Sequence, residues 1–298
     1  MWLPFRCSRG LTQGSLGIPR IGFLGLLGPA RSTKEYCFDS TIVDPHIENA
    51  FQALALDEHR EPFSPAVWEL PRGSSTYLKQ VWFPGVHSNI GGGYEDMELS
   101  NITLAWMISQ LDPFIDFHRD FILRQDQMNR QYYIDTRQKI RPWSFGEILE
   151  SMIGLYALAG SEVRTPGDYY EMDTVSGKPT RRPLKHTNEY IHASVRARMA
   201  LDGPGIEDWG VYRPEALRGW KNSVASGGSS GGQREVRWEY RSRRGGPVER
   251  VLPEDRMGEV EKVLLNKSPV VADGVLGSGA KKEQHPIKLP QRQRLLER

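Results

Sequence analysis

Leu78-Lys79-Gln80-Val81-Trp82-Phe83-Pro84-Gly85-Val86-His87-Ser88-Asn89-Ile90-Gly91-Gly92-Gly93-Tyr94 decides the fold class. Its first six residues are rich in strand formers, and Pro84-Gly85 closes them abruptly, which predicts a strand. A histidine and a glycine run follow. Beyond them Ser100 reads as the cap of a helix running to Leu111, with Leu104, Met107, Ile108 and Leu111 inward and Asp112-Pro113 ending it. Strand, glycine-rich loop bearing a histidine, then helix is the order of α/β folds, in which loops at the carboxyl ends of strands line the site.

Two further helices are predicted around this centre. Asp44-Pro45 has the form of an N-cap followed by a first-turn proline, and Ile47, Ala50, Phe51, Leu54 and Ala55 recur behind it at helical spacing. Ser144 and Glu147 have the spacing of a capping box, ahead of Phe145, Ile148, Leu149, Met152, Ile153 and Tyr156 on one side. From Ser223 the serine- and glycine-rich run reads as a flexible linker, and the basic stretch after it as a largely disordered tail. One short helix is expected in that tail between Pro253 and Leu265, presenting Met257, Val260, Val263 and Leu264. The chain thus divides into an atypical segment 1–13, a body 14–222 and a tail 223–298.

Composition bounds the function. Among 298 residues, Lys+Arg 39 against Asp+Glu 37 leaves a formal charge of +2, too little for electrostatic capture of nucleic acid. Two cysteines, Cys7 and Cys37, exclude a disulfide framework. The longest apolar run, Ile21 to Leu27, is short and glycine-broken, so no transmembrane segment is expected. Arg6 and Arg9 are followed by glycines and polar residues rather than an apolar core, which speaks against a signal peptide and for a cytoplasmic protein. No cofactor is called for, and the oligomeric state is not legible.

His87 is the candidate catalytic residue. A loop at a strand's carboxyl edge places an imidazole where it can take a proton from a nucleophile; the competing reading is a loop histidine bonded to the backbone. Gly91, Gly92 and Gly93 lack the lysine of a phosphate-binding loop. Three residues also separate them from the histidine, unlike the lipase oxyanion motif, in which the histidine directly precedes the glycines. Their expected role is conformational, with Ser88 and Asn89 orienting the loop by local hydrogen bonds; together these five form the candidate substrate-binding set.

Other clusters carry less. Asp57-Glu58-His59-Arg60-Glu61 holds metal-capable groups without metal-ligand spacing and reads as a solvated helix end, so no metal site is assigned. Arg196 and Arg198, on an expected helix after His192, read as structural ion-pair partners, with anion binding as the alternative. Trp68, Trp82, Trp106 and Trp143 read as core or groove-lining residues. A Gly-x-Ser-x-Gly elbow is absent, and Cys7-Ser8-Arg9-Gly10 has no strand before it to present Ser8.

Three motifs resemble one family: Gly14-Ser15-Leu16-Gly17-Ile18-Pro19, Leu54-Ala55-Leu56-Asp57-Glu58-His59-Arg60, and Trp82 through Tyr94. The family is an uncharacterised group of α/β hydrolases common in fungi, similar to the catalytic domain of type VI secretion phospholipase effectors. Trp143-Ser144-Phe145-Gly146-Glu147 and Thr187-Asn188-Glu189-Tyr190-Ile191-His192 also resemble it, so the likeness runs from about Gly14 to Trp220. It implies a Ser-Asp-His triad acting on ester bonds, with lipid esters as the substrate class. Only His87 falls on a matching position, as the base. The family's Asp-Gly-Thr strand and Gly-Phe-Ser-Arg-Gly elbow have no counterpart here, and Gly10-Leu11-Thr12-Gln13 stands where Trp-Asp-Thr-Val is usual.

The expectation is therefore a partial α/β-hydrolase-like sheet with flanking helices, lacking its first strands and nucleophile elbow. Such a chain would be a truncated or degenerate serine hydrolase without activity, because an imidazole with no hydroxyl partner has nothing to activate. The alternative is an interaction module that uses the His87 loop as a binding groove.

Overall fold

A computed structural model describes residues 21–22, 41–118, 120–152, 160–173, 178–230, 233–243 and 245–276, with only the backbone for 21–22, 225–230 and 233–234. Cys7, Ser8, the Gly14 motif and the Ile153–Tyr156 stretch lie outside the described residues.

The centre is a four-stranded sheet in the order β1-β2-β3-β6, with every neighbouring pair parallel. Its strands are β1 (Ile21–Gly22), β2 (Asn49–Ala55), β3 (Tyr77–Phe83) and β6 (Glu189–Ile191). β2 and β3 are in register along their whole length, from Asn49 opposite Tyr77 to Ala55 opposite Phe83.

β2 corrects the helix expected after Asp44-Pro45. Those two residues instead make a turn, in which the Asp44 carboxylate accepts from the His46 amide at 2.8 Å. The five central residues of β2 are all buried. A parallel strand covered on both faces shows no two-residue alternation, and a short apolar run then fits a helix as well as a strand.

Alternation is instead visible in what each face of β3 meets. Phe83 packs edge-on against Trp106 at 5.6 Å, and Lys79 reaches Asp255, so the odd positions face α2 (Glu98–Leu111) and the C-terminal segment. Trp82 stacks on Tyr169 and donates to Glu189 at 2.9 Å, and the Gln80 side chain bonds both backbone groups of Trp68, so the even positions face the loops opposite.

α2 ends where expected, but its N-cap position is Met97 and Ser100 lies inside the helix; the carboxylate of Asp96, one residue before the cap, accepts from the Glu98 amide at 3.0 Å. α1 (His87–Gly91) precedes it, α3 (Phe121–Asp135) follows, and α4 (Ala193–Ala200) continues from β6. A small hairpin joins β4 (Tyr170–Met172) to β5 (Pro179–Pro183). Trp82, Trp106 and Trp143 are core residues.

Residues 144–152 are not helical, which corrects the second helix expectation. Ser144 has φ +71°, and its hydroxyl donates to the Ser194 carbonyl at 2.7 Å instead of capping. Glu147 likewise presents its amide to Asp96, at 2.8 Å. Each half of the capping box is engaged by a residue distant in sequence.

Over residues 223–276 the tail expectation is corrected, apart from its short helix up to Leu265, which is present. β7 (Trp220–Ser230), β8 (Gln233–Tyr240) and β9 (Arg250–Pro253) form an antiparallel sheet, followed by α5 (Glu259–Leu265) and α6 (Pro269–Leu276). The serine- and glycine-rich run forms one arm of the β7–β8 pair, with an irregular register between Val224 and Ser229. Val236, Trp238, Leu252, Met257, Leu264, Leu265, Val271 and Val275 join the main core.

Three acidic residues fasten this segment to the body. Asp255 meets Lys79 at 2.8 Å, Glu254 accepts a fork from Arg196 at 2.8 Å, and Glu261 meets the His192 ring at 2.9 Å. Apolar residues spread thinly along a basic stretch look disordered locally. They are buried here because the body supplies the partner surface.

Candidate functional site

β2 and β3 end side by side, and their continuations build the site at the carboxyl edge of the sheet. Leu56 and Asp57 extend the pairing, donating their amides to Phe83 and Gly85 carbonyls at 3.0 Å each. The Asp57 carboxylate returns the bond, accepting from the Gly85 amide at 2.6 Å and from the Tyr212 hydroxyl at 2.7 Å. Burial pushes the Asp57 carboxyl up from its ordinary range, while the Gly85 amide, the Tyr212 hydroxyl and the nearby Arg198 charge oppose that shift.

Pro84-Gly85 then turns the chain into α1. Gly85 has φ +111°, and a Cβ there would lie 2.5 Å from the Asn89 Cβ, so only glycine fits the turn. Asn89 is buried: its Oδ1 accepts from the Val86 amide at 3.0 Å, and its Nδ2 donates to the Glu147 carbonyl at 2.8 Å. Gly91 closes α1, while Gly92 and Gly93, at φ +82° and +127°, carry the chain out of it. Ser88 meets the Tyr94 side chain across that turn. Asn89 is thus engaged in holding the loop, and of the five candidate binding residues the structure leaves Ser88 and the glycines beside solvent.

His87 was expected on a loop; it instead opens the short helix α1 and is partly exposed, so only Gly92 and Gly93 of the glycine run lie outside a regular element. Its ring meets the Phe63 ring edge-on at 5.0 Å, and the Arg60 guanidinium lies over the Phe63 ring, 3.9 Å from its centroid. Burial holds the imidazole below its ordinary pKa; the Glu58 charge opposes this and the Arg60 charge adds to it. At pH 7 the ring is therefore neutral and able to accept a proton. Among the described residues no hydroxyl lies within hydrogen-bonding distance of it.

Glu58 is the neighbour the sequence reading missed. It is buried, not part of a solvated helix end, because strand β2 carries it under the start of α1. Its Oε1 accepts from Arg60 Nε at 2.8 Å and from Ser151 Oγ at 3.1 Å; its Oε2 accepts from Arg60 Nη2 at 2.7 Å and from the His87 amide at 3.2 Å. Burial alone would raise the Glu58 pKa, but the Arg60 and His87 donors hold it below the ordinary carboxylate value. The signal available in the sequence was position: two acidic residues directly after an apolar run, with Glu58 three residues past the end of β2 and His87 four past the end of β3.

The remaining candidates fall away from the site. Arg196 is paired with Glu254, as expected for a structural partner. Arg198 is fully buried and commits four of its five N–H donors to the carbonyls of Ser144, Gly146 and Pro204, at 2.7 to 2.9 Å, which makes it a structural brace and not an exposed anion site. His192 caps α4 from the core rather than joining His87. Among the described residues no group of three or more His, Cys, Asp or Glu side chains is arranged to hold a metal ion. No helix among the described residues is long and apolar enough to cross a membrane.

No curated protein and no solved structure matches the chain. One family does: residues 12–110, which contain β2, β3, α1 and His87, match the family described as T6SS phospholipase effector Tle1-like, catalytic domain. Over that third of its length, the chain is similar to the catalytic domain of a phospholipase effector family.

Proposed function

We propose that this chain carries an ester-hydrolase site of phospholipase type, with His87 as its proton acceptor, and that it does not hydrolyse esters by itself. Its place at the carboxyl edge of a parallel sheet, inside the stretch similar to a phospholipase catalytic domain, supports the role of His87. The observation that carries the reading is a partly exposed imidazole whose ring meets Phe63 and no hydroxyl among the described residues, with burial holding its pKa below the ordinary value. Glu58 holds the His87 backbone from below, so the ring stays at the rim while its neighbour's carboxylate is engaged by Arg60. Ser88, Gly92 and Gly93 form the wall against which an ester group would lie.

Purified chain and a His87→Ala variant, assayed on short-chain nitrophenyl esters, test both halves. The expected result is no His87-dependent turnover and no serine labelled by a fluorophosphonate. Turnover abolished in His87→Ala would overturn the inactivity while supporting the base. Turnover that survives the substitution would overturn the role of His87.

A further inference from the structure

Trp209 is 84 % exposed, the most exposed large hydrophobic side chain among the described residues. It sits at the tip of a loop, 204–211, that is not free to fold it away. Pro204 and Val211 form an antiparallel bridge, and the Gly205 and Trp209 amides donate to Gly210 and Ile206 carbonyls at 3.1 and 2.9 Å. Glu207 and Asp208, consecutive non-glycine residues, have φ +52° and +59°. Such conformations persist only where the surroundings over-determine them, and they cluster at functional positions.

Here the surroundings are explicit. Arg141 makes a two-pronged bond to Asp208, both contacts 2.7 Å, and Glu207 exchanges bonds with Ile148 and Glu150. The fold thus holds an indole out in water.

The loop adjoins the His87 edge. Tyr212, next after it, donates to Asp57, and the 147–151 segment that braces Glu207 also binds Asn89 and Glu58. Val211, at the end of the same loop, is 44 % exposed and adds to its apolar surface. Its charges are paired or acidic: Asp208 with Arg141, Asp202 with Arg213 at 3.4 Å, and Glu207 beside them. That balance disfavours an anionic surface and suits a zwitterionic one. An indole, with an apolar body and one N–H, matches the headgroup boundary of a bilayer.

We propose that the Trp209 loop is an interfacial anchor that enters the headgroup region of a zwitterionic phospholipid surface and brings the His87 edge to it. The choice of lipid rests on the phospholipase-type reading; the anchoring itself requires no turnover.

The test uses the full chain with phosphatidylcholine vesicles, in sedimentation and in tryptophan quenching by brominated phosphatidylcholine. Wild type is expected to partition and to be quenched. Trp209→Ala is expected to partition about tenfold less, with most of the quenching lost. His87→Ala is expected to bind vesicles like wild type, so a failed hydrolase reading and a failed anchor give different results. Three outcomes would overturn the anchor: no partitioning of wild type, equal partitioning of Trp209→Ala, or binding only to anionic vesicles. Self-association that Trp209→Ala abolishes, without vesicle binding, would assign the indole to a second copy of the chain and overturn it too.

Discussion

Replacing Asp255 by asparagine tests whether the C-terminal segment is part of the fold or an appendage on it. Asp255 is buried between two elements of the body: Oδ1 meets Lys79 Nζ and Oδ2 accepts from Trp106 Nε1, both at 2.8 Å. The Lys79 side chain is 11 % exposed and that of Asp255 3 %, so solvent screens little of the pair. Burial alone would lower the Lys79 pKa; Asp255 more than reverses this and holds it raised. Asparagine keeps an acceptor for Trp106 but removes the counter-charge, leaving the ammonium buried and uncompensated. Breaking one side of a buried pair costs about 3–5 kcal/mol, a large share of a domain stability of about 5–15 kcal/mol.

The pH dependence of that loss has a definite sign. In Asp255→Asn the folded-state pKa of Lys79 falls below its ordinary 10.5. The penalty is then complete at low pH and shrinks as pH rises towards that value, because the folded protein releases the proton first. Urea unfolding followed by tryptophan fluorescence reads the effect as a lower midpoint at unchanged slope. The double variant Lys79→Met/Asp255→Asn, which removes the buried charge, should recover most of the loss, with a coupling of about 2–3 kcal/mol. A single-variant cost below about 1 kcal/mol would refute the argument. So would a two-step curve whose first step carries a fraction of the slope, since that describes an appendage.

Three further expectations follow from the site and its supports. Arg198→Met leaves the Ser144, Gly146 and Pro204 carbonyls without their donors and should lower stability by at least about 3 kcal/mol, read by thermal denaturation. Gly85→Ala should be far more damaging than Gly92→Ala. Both have positive φ, but a Cβ at Gly85 meets Asn89 at 2.5 Å whereas one at Gly92 meets nothing within 4 Å, so the second loses only about 1–2 kcal/mol. By proton NMR the His87 ring should titrate below the ordinary 6.5, and Glu58→Gln should lower the midpoint further by removing the opposing charge. Since the unfolded chain takes up that proton first, the His87 contribution to stability declines as pH falls through 6.5.

Legibility followed the range of the interaction. β3 and α2 could be read because their signals are local: a run of strand formers stopped by Pro84-Gly85, and apolar spacing ended by Asp112-Pro113. The glycines after His87 were legible for the same reason, since positive φ at Gly92 and Gly93 is a property of single residues. Ser144 failed as a cap because a carbonyl fifty positions away, Ser194, takes its hydroxyl. Glu58 looked solvated because nothing nearby in sequence shows that a second strand, which turns through Pro84-Gly85 into His87, will lie beside it.

What the amino-acid sequence determined by itself is therefore the strand–histidine–glycine–helix unit and the likeness to a phospholipase catalytic domain over residues 12–110. Tertiary structure alone decided three other matters: that Asn49–Ala55 is a strand, that Glu58 underlies His87, and that the stretch from Trp220 to Leu276 is core rather than tail. The physical reason is common to all three. A residue's own propensity acts over one turn or one pleat, whereas burial and charge pairing depend on surfaces that meet only once the chain has folded.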